Sequence, residues 1–414
     1  MPYPDPVPDL PQELVDHIID KLHADKTALK FCSLVASTWT ARSHYHLFYE
    51  VEILNETQRD AWTRLFPHPC ASVVADLVRR LHIDQPSILE DIAKFSLEQF
   101  RNLVHFSLGC MPFHQRTGSE LGASAMDNIR LLPTSLRGLH LGLGHTYVWH
   151  ITSLCGHFQD LDDLSVRSHS FKPGRQPQET ALESSPRFRG ELRVAIGTDF
   201  FALTDLLQSL PNGVQFTRVN LSLPLPPGSP CKVGVWLQSV AETLTSLHID
   251  ATLQSECCGR WGHFSKGVPL GLRVTFAHTV TSVISRVFQR VDVVIDLSPL
   301  QKLTTLCLRL KPAFISPSIV AQTIESAASG ISTIELTLVG PIITKNWASV
   351  DGAIAALAPR CSQPLRVTIN GAQKDEESRM FPRASSMGLL QVRLRDLLYN
   401  LQMTKQRYRW VGEV

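Results

Sequence analysis

The best candidate for a metal site in this sequence is the pair Cys257-Cys258, which is followed by His263 and His278. Thiolates and imidazoles are the ligands that Zn²⁺ prefers, and structural zinc sites supply them as two pairs, each with about two to four residues between its members. Adjacent cysteines point in different directions, and no second pair follows in the sequence. The spacing therefore argues against zinc, and we expect the protein to bind no metal or other cofactor.

A second group of titratable side chains comprises His157, Asp160, Asp162 and Asp163. Carboxylates at this spacing can hold a divalent cation, but we interpret them as solvated side chains of a turn at the edge of a strand. The glycines of LRGLHLGLGHTY lack the G-x-G-x-x-G spacing, and no G-x-S-x-G, phosphate-binding-loop or H-E-x-x-H motif occurs. We therefore predict no catalytic residues and a protein that is not an enzyme.

The composition is that of a globular protein, with 43% hydrophobic and 19% charged residues. A formal net charge of +2 without long Lys/Arg runs argues against nucleic acid as a main partner. The nine cysteines are odd in number and form no C-x-x-C pair, which is typical of a reducing compartment, so we expect a cytoplasmic or nuclear location. We expect neither a secretion signal nor a membrane span, because the required apolar runs are missing.

The elements that would position functional groups begin with residues 9–51, whose apolar spacing predicts three short helices. Asp9 is a candidate N-cap for the first helix, and Pro11 suits its first turn because its missing N–H needs no partner there. Hydrophobic residues recur every fourth position along this helix and form one stripe. They are Leu10, Leu14, Ile18 and Leu22.

The second and third helices of this stretch carry further apolar positions, and the third is predicted to start near Ser37 or Thr38. These positions are Leu29, Cys32, Leu34 and Val35, then Trp39, Leu47 and Phe48. A domain of under roughly 40 residues rarely folds without help, and three short helices cannot bury all these faces on one another. We therefore expect part of the apolar surface to contact something else.

This stretch resembles the F-box, the N-terminal module that joins a substrate receptor to an SCF-type ubiquitin ligase, and it looks especially like the F-box of mushroom-forming fungi. The Leu-Pro start, the Leu-Val pair and the tryptophan stand in the family's order and spacing. The matching residues are Leu10-Pro11, Glu13-Leu14, Ile18-Ile19, Leu22, Leu29, Cys32-Ser33-Leu34-Val35, Trp39, Leu47-Phe48 and Val51-Glu52-Ile53.

The resemblance implies that the module docks on the ligase's Skp-type linker subunit and, through it, on a cullin. Some of the family's apolar contact positions must instead pack inside the module, and Ile18 and Ile19 can exchange these two roles. The alternative is an ordinary three-helix cap on the following domain. The partner-binding residues that the resemblance implies are Leu10, Pro11, Leu14, Ile18, Leu34, Val35 and Trp39.

From residue 73 onward, strand-like runs return at intervals of roughly 20 to 35 residues, several with the form L-x-x-L-x-L. The predicted strands are 78–83, 103–108, 136–141, 161–166, 192–196, 216–223, 244–249, 272–276, 291–295, 303–308, 331–338 and 365–369. Helices are predicted at 87–97, 123–132, 199–210, 233–244, 279–291, 318–328 and 347–358, with Pro317 near the start of one of them.

This alternation resembles an irregular leucine-rich-repeat solenoid, although the Asn or Cys that the family places after the strand is mostly missing. One such unit buries too little apolar surface to fold alone, so neighbouring units stack into a continuous core. A doubly wound α/β domain gives the same alternation, but an open sheet rarely holds so many strands. We predict an α/β fold with an F-box-like helical module at 9–51, a linker helix at 52–72 and a leucine-rich-repeat-like solenoid at 73–414.

Polar or Pro/Gly-rich stretches at 172–189, 224–230 and 372–387 are predicted to be surface loops, and 389–410 is predicted to be an amphipathic helix that caps the last repeat. Histidines are predicted as the polar members of alternating strands, and in a solenoid they would line the concave, ligand-binding face. These histidines are His82, His105, His140 and His248.

The resemblances together imply a substrate-recognition adaptor of an SCF-type cullin-RING ubiquitin ligase, whose repeats bind a target protein. One alternative is a repeat scaffold for protein–protein interaction without a ligase role. The other is an enzyme with an α/β core.

Overall fold

The computed structural model describes residues 10–68, 71–109, 121–172, 187–196, 215–222, 237–238, 240–250, 294–310, 315–339, 347–370 and 378–391. Over these ranges the fold is mixed α/β, with helices and a twelve-stranded parallel sheet whose strands lie in sequence order. The chain divides into two compact units, Met1–Thr146 with Ser153–Leu161 and Tyr147–Thr152 with Asp162–Val414.

The elements are numbered in chain order. The helices of the described residues are α1 (Gln12–Lys21), α2 (Lys26–Val35), α3 (Ser37–Phe48), α4 (Glu56–Leu65), α5 (Ala71–Leu77), α6 (Ala123–Arg130), α7 (Val148–His157), α8 (Pro317–Glu325), α9 (Ala348–Leu357) and α10 (Pro382–Ser386). The strands are β1 (Glu50–Ile53), β2 (Arg80–Ile83), β3 (His105–Leu108), β4 (Gly138–Tyr147), β5 (Asp160–Lys172), β6 (Arg187–Ile196), β7 (Arg218–Ser222), β8 (Ser246–Asp250), β9 (Thr305–Leu310), β10 (Thr333–Leu338), β11 (Arg366–Asn370) and β12 (Leu390–Gln391).

The three N-terminal helices lie where the sequence predicts them and share one small core. The carboxylate of Asp25 caps α2 by accepting a 2.9 Å hydrogen bond from the N–H of Ala28. Helix α1 begins one residue after Pro11, and the predicted cap Asp9 lies outside the described residues. The core consists of Val15, Ile19 and Leu29, with Leu22, Trp39 and Leu47 packed against it.

Strands β1 to β4 of the first unit are parallel neighbours, and alternate residues of each strand are buried. Such alternation is what the apolar spacing predicted for β2, β3 and β4. The two buried rows of the register are Val51–Leu81–Phe106–Leu139 and Ile53–Ile83–Leu108–Leu141.

The helix predicted at 87–97 is wrong, because this segment forms two 3₁₀ turns, Pro86–Leu89 and Leu97–Gln99. The buried side chain of Asn128 on α6 bonds to the segment's backbone. Its Oδ1 accepts a 2.9 Å hydrogen bond from the N–H of Leu97, and its Nδ2 donates to the carbonyls of Leu89 and Phe95 at 3.2 and 2.7 Å. These backbone groups are satisfied from outside the segment, so it does not need a helical ladder.

In the second unit, the strands from β6 to β11 pair in parallel, each with the next one in sequence. Helices α8 and α9 confirm two predicted helices. Pro317, which was predicted near a helix start, occupies the first position of α8, where its missing N–H needs no partner. One buried row of this register is Leu192–Val219–Leu247–Leu306–Ile334–Val367.

Several predicted boundaries differ from the observed elements. Strand β1 crosses the predicted border between the module and the linker at residues 51 and 52, and α5 crosses the border between linker and repeats at residue 73. The predicted loop 372–387 contains α10, the ends of the predicted loop 172–189 belong to β5 and β6, and the predicted C-terminal helix has the short strand β12 near its start. Residues 294 and 295, predicted as part of a strand, lie in irregular structure.

Other predictions fall on residues that the structure does not describe. They are the helices 199–210 and 279–291, the strand 272–276, the loop 224–230 and most of the helices 233–244 and 389–410. Helix α7 was not predicted, since VWHITSLCGH combines β-branched residues with a glycine, which are weak helix formers.

Candidate partner-binding surface

Helices α1 and α2 leave a set of large apolar side chains in solvent. On α1 these are Leu14 and Ile18, and Leu10 precedes the helix. On α2 they are Phe31, Leu34 and Val35, of which Leu34 is 82% exposed. We call these six residues, Leu10, Leu14, Ile18, Phe31, Leu34 and Val35, the apolar patch. Single exposed apolar residues are ordinary on protein surfaces, but six of them on or next to two helices that share one core are a candidate interaction site.

The helical period explains how α1 serves both the core and the apolar patch. Val15 and Ile19 are four residues apart and face the core together, whereas Leu14 and Ile18 are displaced by about 100° around the axis. The hydrophobic stripe is therefore wider than the small core can cover. Its remaining edge forms the α1 part of the apolar patch.

The module is held in shape by polar contacts between its helices. Arg42 on α3 donates two hydrogen bonds to the carboxylate of Asp20 near the end of α1, at 2.6 and 2.8 Å, and His46 lies 2.7 Å from the same carboxylate. Lys26 donates to the carbonyl oxygens of His46 and Leu47 at the end of α3, at 2.8 and 3.2 Å. These bonds link all three helices, so the apolar patch is presented on a defined scaffold.

The carboxylate of Asp20 carries the largest electrostatic perturbation in the module. The guanidinium of Arg42, and after it the imidazole of His46, hold the pKa of Asp20 well below its ordinary value. The same contact raises the pKa of Arg42. Both side chains are partly exposed, so the pair stabilises the helix packing without the cost of a deeply buried charge.

The predicted partner-binding residues fall into two groups in the structure. Leu10, Pro11, Leu14, Ile18, Leu34 and Val35 are exposed, and Ile18 rather than Ile19 is the outward-facing residue of that pair. Trp39 is half-buried and packs against the module's core. Phe31 was missed as a contact residue, although its spacing of three and four residues from Leu34 and Val35 places it on the same face of α2.

A second surface with functional potential is the polar face of the sheet in the second unit. Its central row is Arg193–Asn220–His248–Cys307–Glu335–Thr368, one side chain from each strand β6 to β11. His248 is half-buried there, and burial lowers its pKa. His248, and His82, His105 and His140 in the first unit, are half-buried and alternate with buried apolar residues of their strands. These histidines lie on the polar side of their strands, as predicted.

The candidate metal ligands are not gathered into a site within the described residues. No group of three or more His, Cys, Asp or Glu side chains with metal-binding geometry occurs there. Asp160, Asp162 and Asp163 belong to strand β5 rather than to a turn. Cys257, Cys258, His263 and His278 lie outside the described residues.

Comparison with known proteins gave no match, either to a family model or to a curated protein. Within the described part of the chain, no helix is both long and apolar enough to cross a membrane.

Proposed function

We propose that this protein is a substrate-recognition adaptor of an SCF-type cullin-RING ubiquitin ligase, located in the cytoplasm or the nucleus. The observation that carries the proposal is the apolar patch, because all its members except Phe31 coincide with contact positions implied by the F-box resemblance. The module would dock through this patch on a Skp-type linker subunit and, through it, on a cullin. Trp39 would support the patch from the core side.

The second part of the proposal concerns the repeating strands and helices. From β1 to β4 and from β6 to β12, each strand pairs in parallel with the next one in sequence. This pairing supports a leucine-rich-repeat-like array in which every repeat adds one strand to a shared core. Such an array would hold a target protein by its polar face. The adaptor would carry out no bond chemistry, and would act by raising the effective concentration of the target's lysines near the ubiquitin-charged enzyme.

The full chain with both Leu14→Asp and Leu34→Asp tests the docking step. Two charges in the centre of an apolar contact should abolish co-purification with a Skp-type linker, while the unbound protein keeps its fold because both positions are exposed. Val73→Asp is the matched control, since Val73 is an exposed valine on α5 outside the apolar patch, and it should leave linker binding unchanged.

A wild-type chain that brings down no linker would contradict the proposal and favour the alternative of a repeat scaffold without a ligase role. Equal binding by the wild type and the Leu14→Asp/Leu34→Asp variant would remove the docking surface from the apolar patch. Reduced binding by Val73→Asp as well would indicate a general effect of added negative charge.

A further inference from the structure

The acidic residues on the polar face of the second unit differ in how their charges are compensated. Glu191 accepts two hydrogen bonds from the guanidinium of Arg193, at 2.8 and 2.7 Å. Asp250 forms an ion pair with Arg309 on the neighbouring strand at 3.6 Å. These two carboxylates are thus already paired with a basic side chain of the same chain.

Among the described residues, the hydrogen-bond partners of Glu335 on β10 are neutral. Its Oε1 accepts a 2.7 Å hydrogen bond from Nδ2 of Asn370, and its Oε2 accepts a weak one from the thiol of Cys307 at 3.8 Å. Within the described ranges, no lysine, arginine or histidine forms an ion pair with this carboxylate. His248 lies on the far side of Cys307, and burial lowers its pKa although the nearby carboxylates, Glu335 among them, act to raise it.

Asn370 on β11 holds the Glu335 carboxylate, and its own amide oxygen lacks a donor among the described residues. Its side chain is 7% exposed, and Nδ2 donates both to Glu335 and to Oγ1 of Thr337, at 2.7 and 3.2 Å. A carboxylate only accepts hydrogen bonds, so the nitrogen rather than the oxygen of the amide must face Glu335. The buried Oδ1 then has no donor among the described residues, and such an unmade bond is costly.

We propose that Glu335 and Asn370 form the recognition site for a basic side chain, lysine or arginine, of the target protein. The inference rests on the proposed function, in which this sheet binds a target. A cation with several N–H donors and no acceptor matches a carboxylate whose hydrogen-bond partners among the described residues are neutral, and Asn370 holds that carboxylate in place. Charge-assisted bonds of this kind are shorter and about twice as strong as neutral ones.

The test is binding of the full chain to an array of random heptapeptides that share one fixed central residue. The fixed residue is lysine, N-acetyl-lysine, arginine or methionine, so that acetylation removes the charge while the length of the side chain is kept. The wild type should be retained at least tenfold more on lysine or arginine than on N-acetyl-lysine or methionine. Equal retention on lysine and N-acetyl-lysine would overturn the inference without any variant.

Glu335→Gln should remove this preference, whereas Glu191→Gln is the matched control and should keep it, because Arg193 already occupies the Glu191 carboxylate. Circular dichroism establishes that both variants are folded, and Glu335→Asp, which keeps the charge, should retain part of the preference. Loss of the preference in Glu191→Gln as well, or its survival in Glu335→Gln, would contradict the site.

Displacement of the retained protein by spermidine at the same concentration as a lysine peptide would indicate a free polyamine and overturn the assignment to a protein side chain. The linker subunit takes no part in this assay. A failure here is therefore distinguishable from a failure of linker docking.

Discussion

Ile18 and Ile19 are adjacent in sequence but point in directions about 100° apart on α1. Ile19 is fully buried with Val15 and Leu29, whereas Ile18 is 40% exposed. The same residue type therefore contributes to folding at one position and is available to a partner at the next. Substitutions at the two positions should separate stability from binding.

We expect Ile19→Ala to lower the free energy of unfolding by about 2 to 5 kcal/mol, because it leaves a cavity in a core of only a few side chains. Ile18→Ala should change stability by less than about 0.5 kcal/mol and should weaken linker binding instead. Urea unfolding of the full chain, followed by far-UV circular dichroism, and a linker pull-down check the two effects. Comparable losses of stability in both variants would contradict the assigned orientation of α1.

Leu10 and Pro11 lead into α1 and are both exposed. Replacing both by alanine should weaken linker binding at least tenfold, since a buried leucine contributes roughly 1.5 to 3 kcal/mol on transfer from water. The second unit should keep its fold, which limited proteolysis can establish. Equal affinity of the double variant and the wild type would exclude these residues from the docking surface.

The side chain of Asn128 should be essential for the stability of the irregular segment from Pro86 to Gln99. Asn128→Ala leaves one N–H and two carbonyl groups of that segment without their buried partner, at a cost of about 1 to 3 kcal/mol for each group that stays unsatisfied. Thermal unfolding of the full chain measures the loss. The control is Asn102→Ala, because Asn102 is exposed and donates a single hydrogen bond to the carbonyl of Asp76.

Helix α6 could be predicted from the sequence, whereas the conformation of the segment 87–97 could not. Local periodicity predicted α6, α8, α9 and most strands, because their buried residues recur at the period of the element itself. The segment 87–97 follows no such rule, since its conformation depends on Asn128, more than 30 residues later in the chain.

The two candidate sites also differ in how far the sequence predicts them. An exposed apolar surface could be predicted because three short helices cannot bury all their apolar positions, whereas the contact residues themselves came from the F-box resemblance. The Glu335–Asn370 contact joins residues 35 positions apart on neighbouring strands and depends on their register, so no local pattern reveals it. Phe31 was missed because it was not counted in the stripe of α2.

Asp351 on α9 acts as a cap for another helix. Its buried carboxylate accepts hydrogen bonds from the backbone N–H groups of Arg383 and Ala384, both at 2.9 Å, at the start of α10. Asp351→Ala should lower stability by about 2 to 4 kcal/mol, because two charge-assisted bonds are lost and the buried N–H of Ala384 is left unpaired. Hydrogen exchange of the amides in α10 should also become faster. Asp296→Ala is the control, since Asp296 is exposed and only closes a local turn with Ser298.

The contact between Asp20 and Arg42 should make the module sensitive to acid. Because Arg42 and His46 lower the pKa of Asp20 below its ordinary value of 3.8, the folded module binds a proton at Asp20 less readily than the unfolded chain does. The stabilisation is therefore complete above about pH 4 and is lost as the pH falls from there through the lowered pKa. Asp20→Asn should be less stable than the wild type at pH 7, and the difference should shrink below pH 4. Chemical unfolding followed at pH 7, 4 and 3 measures this, and a difference that is constant over the three values would show that Asp20 is not the titrating group.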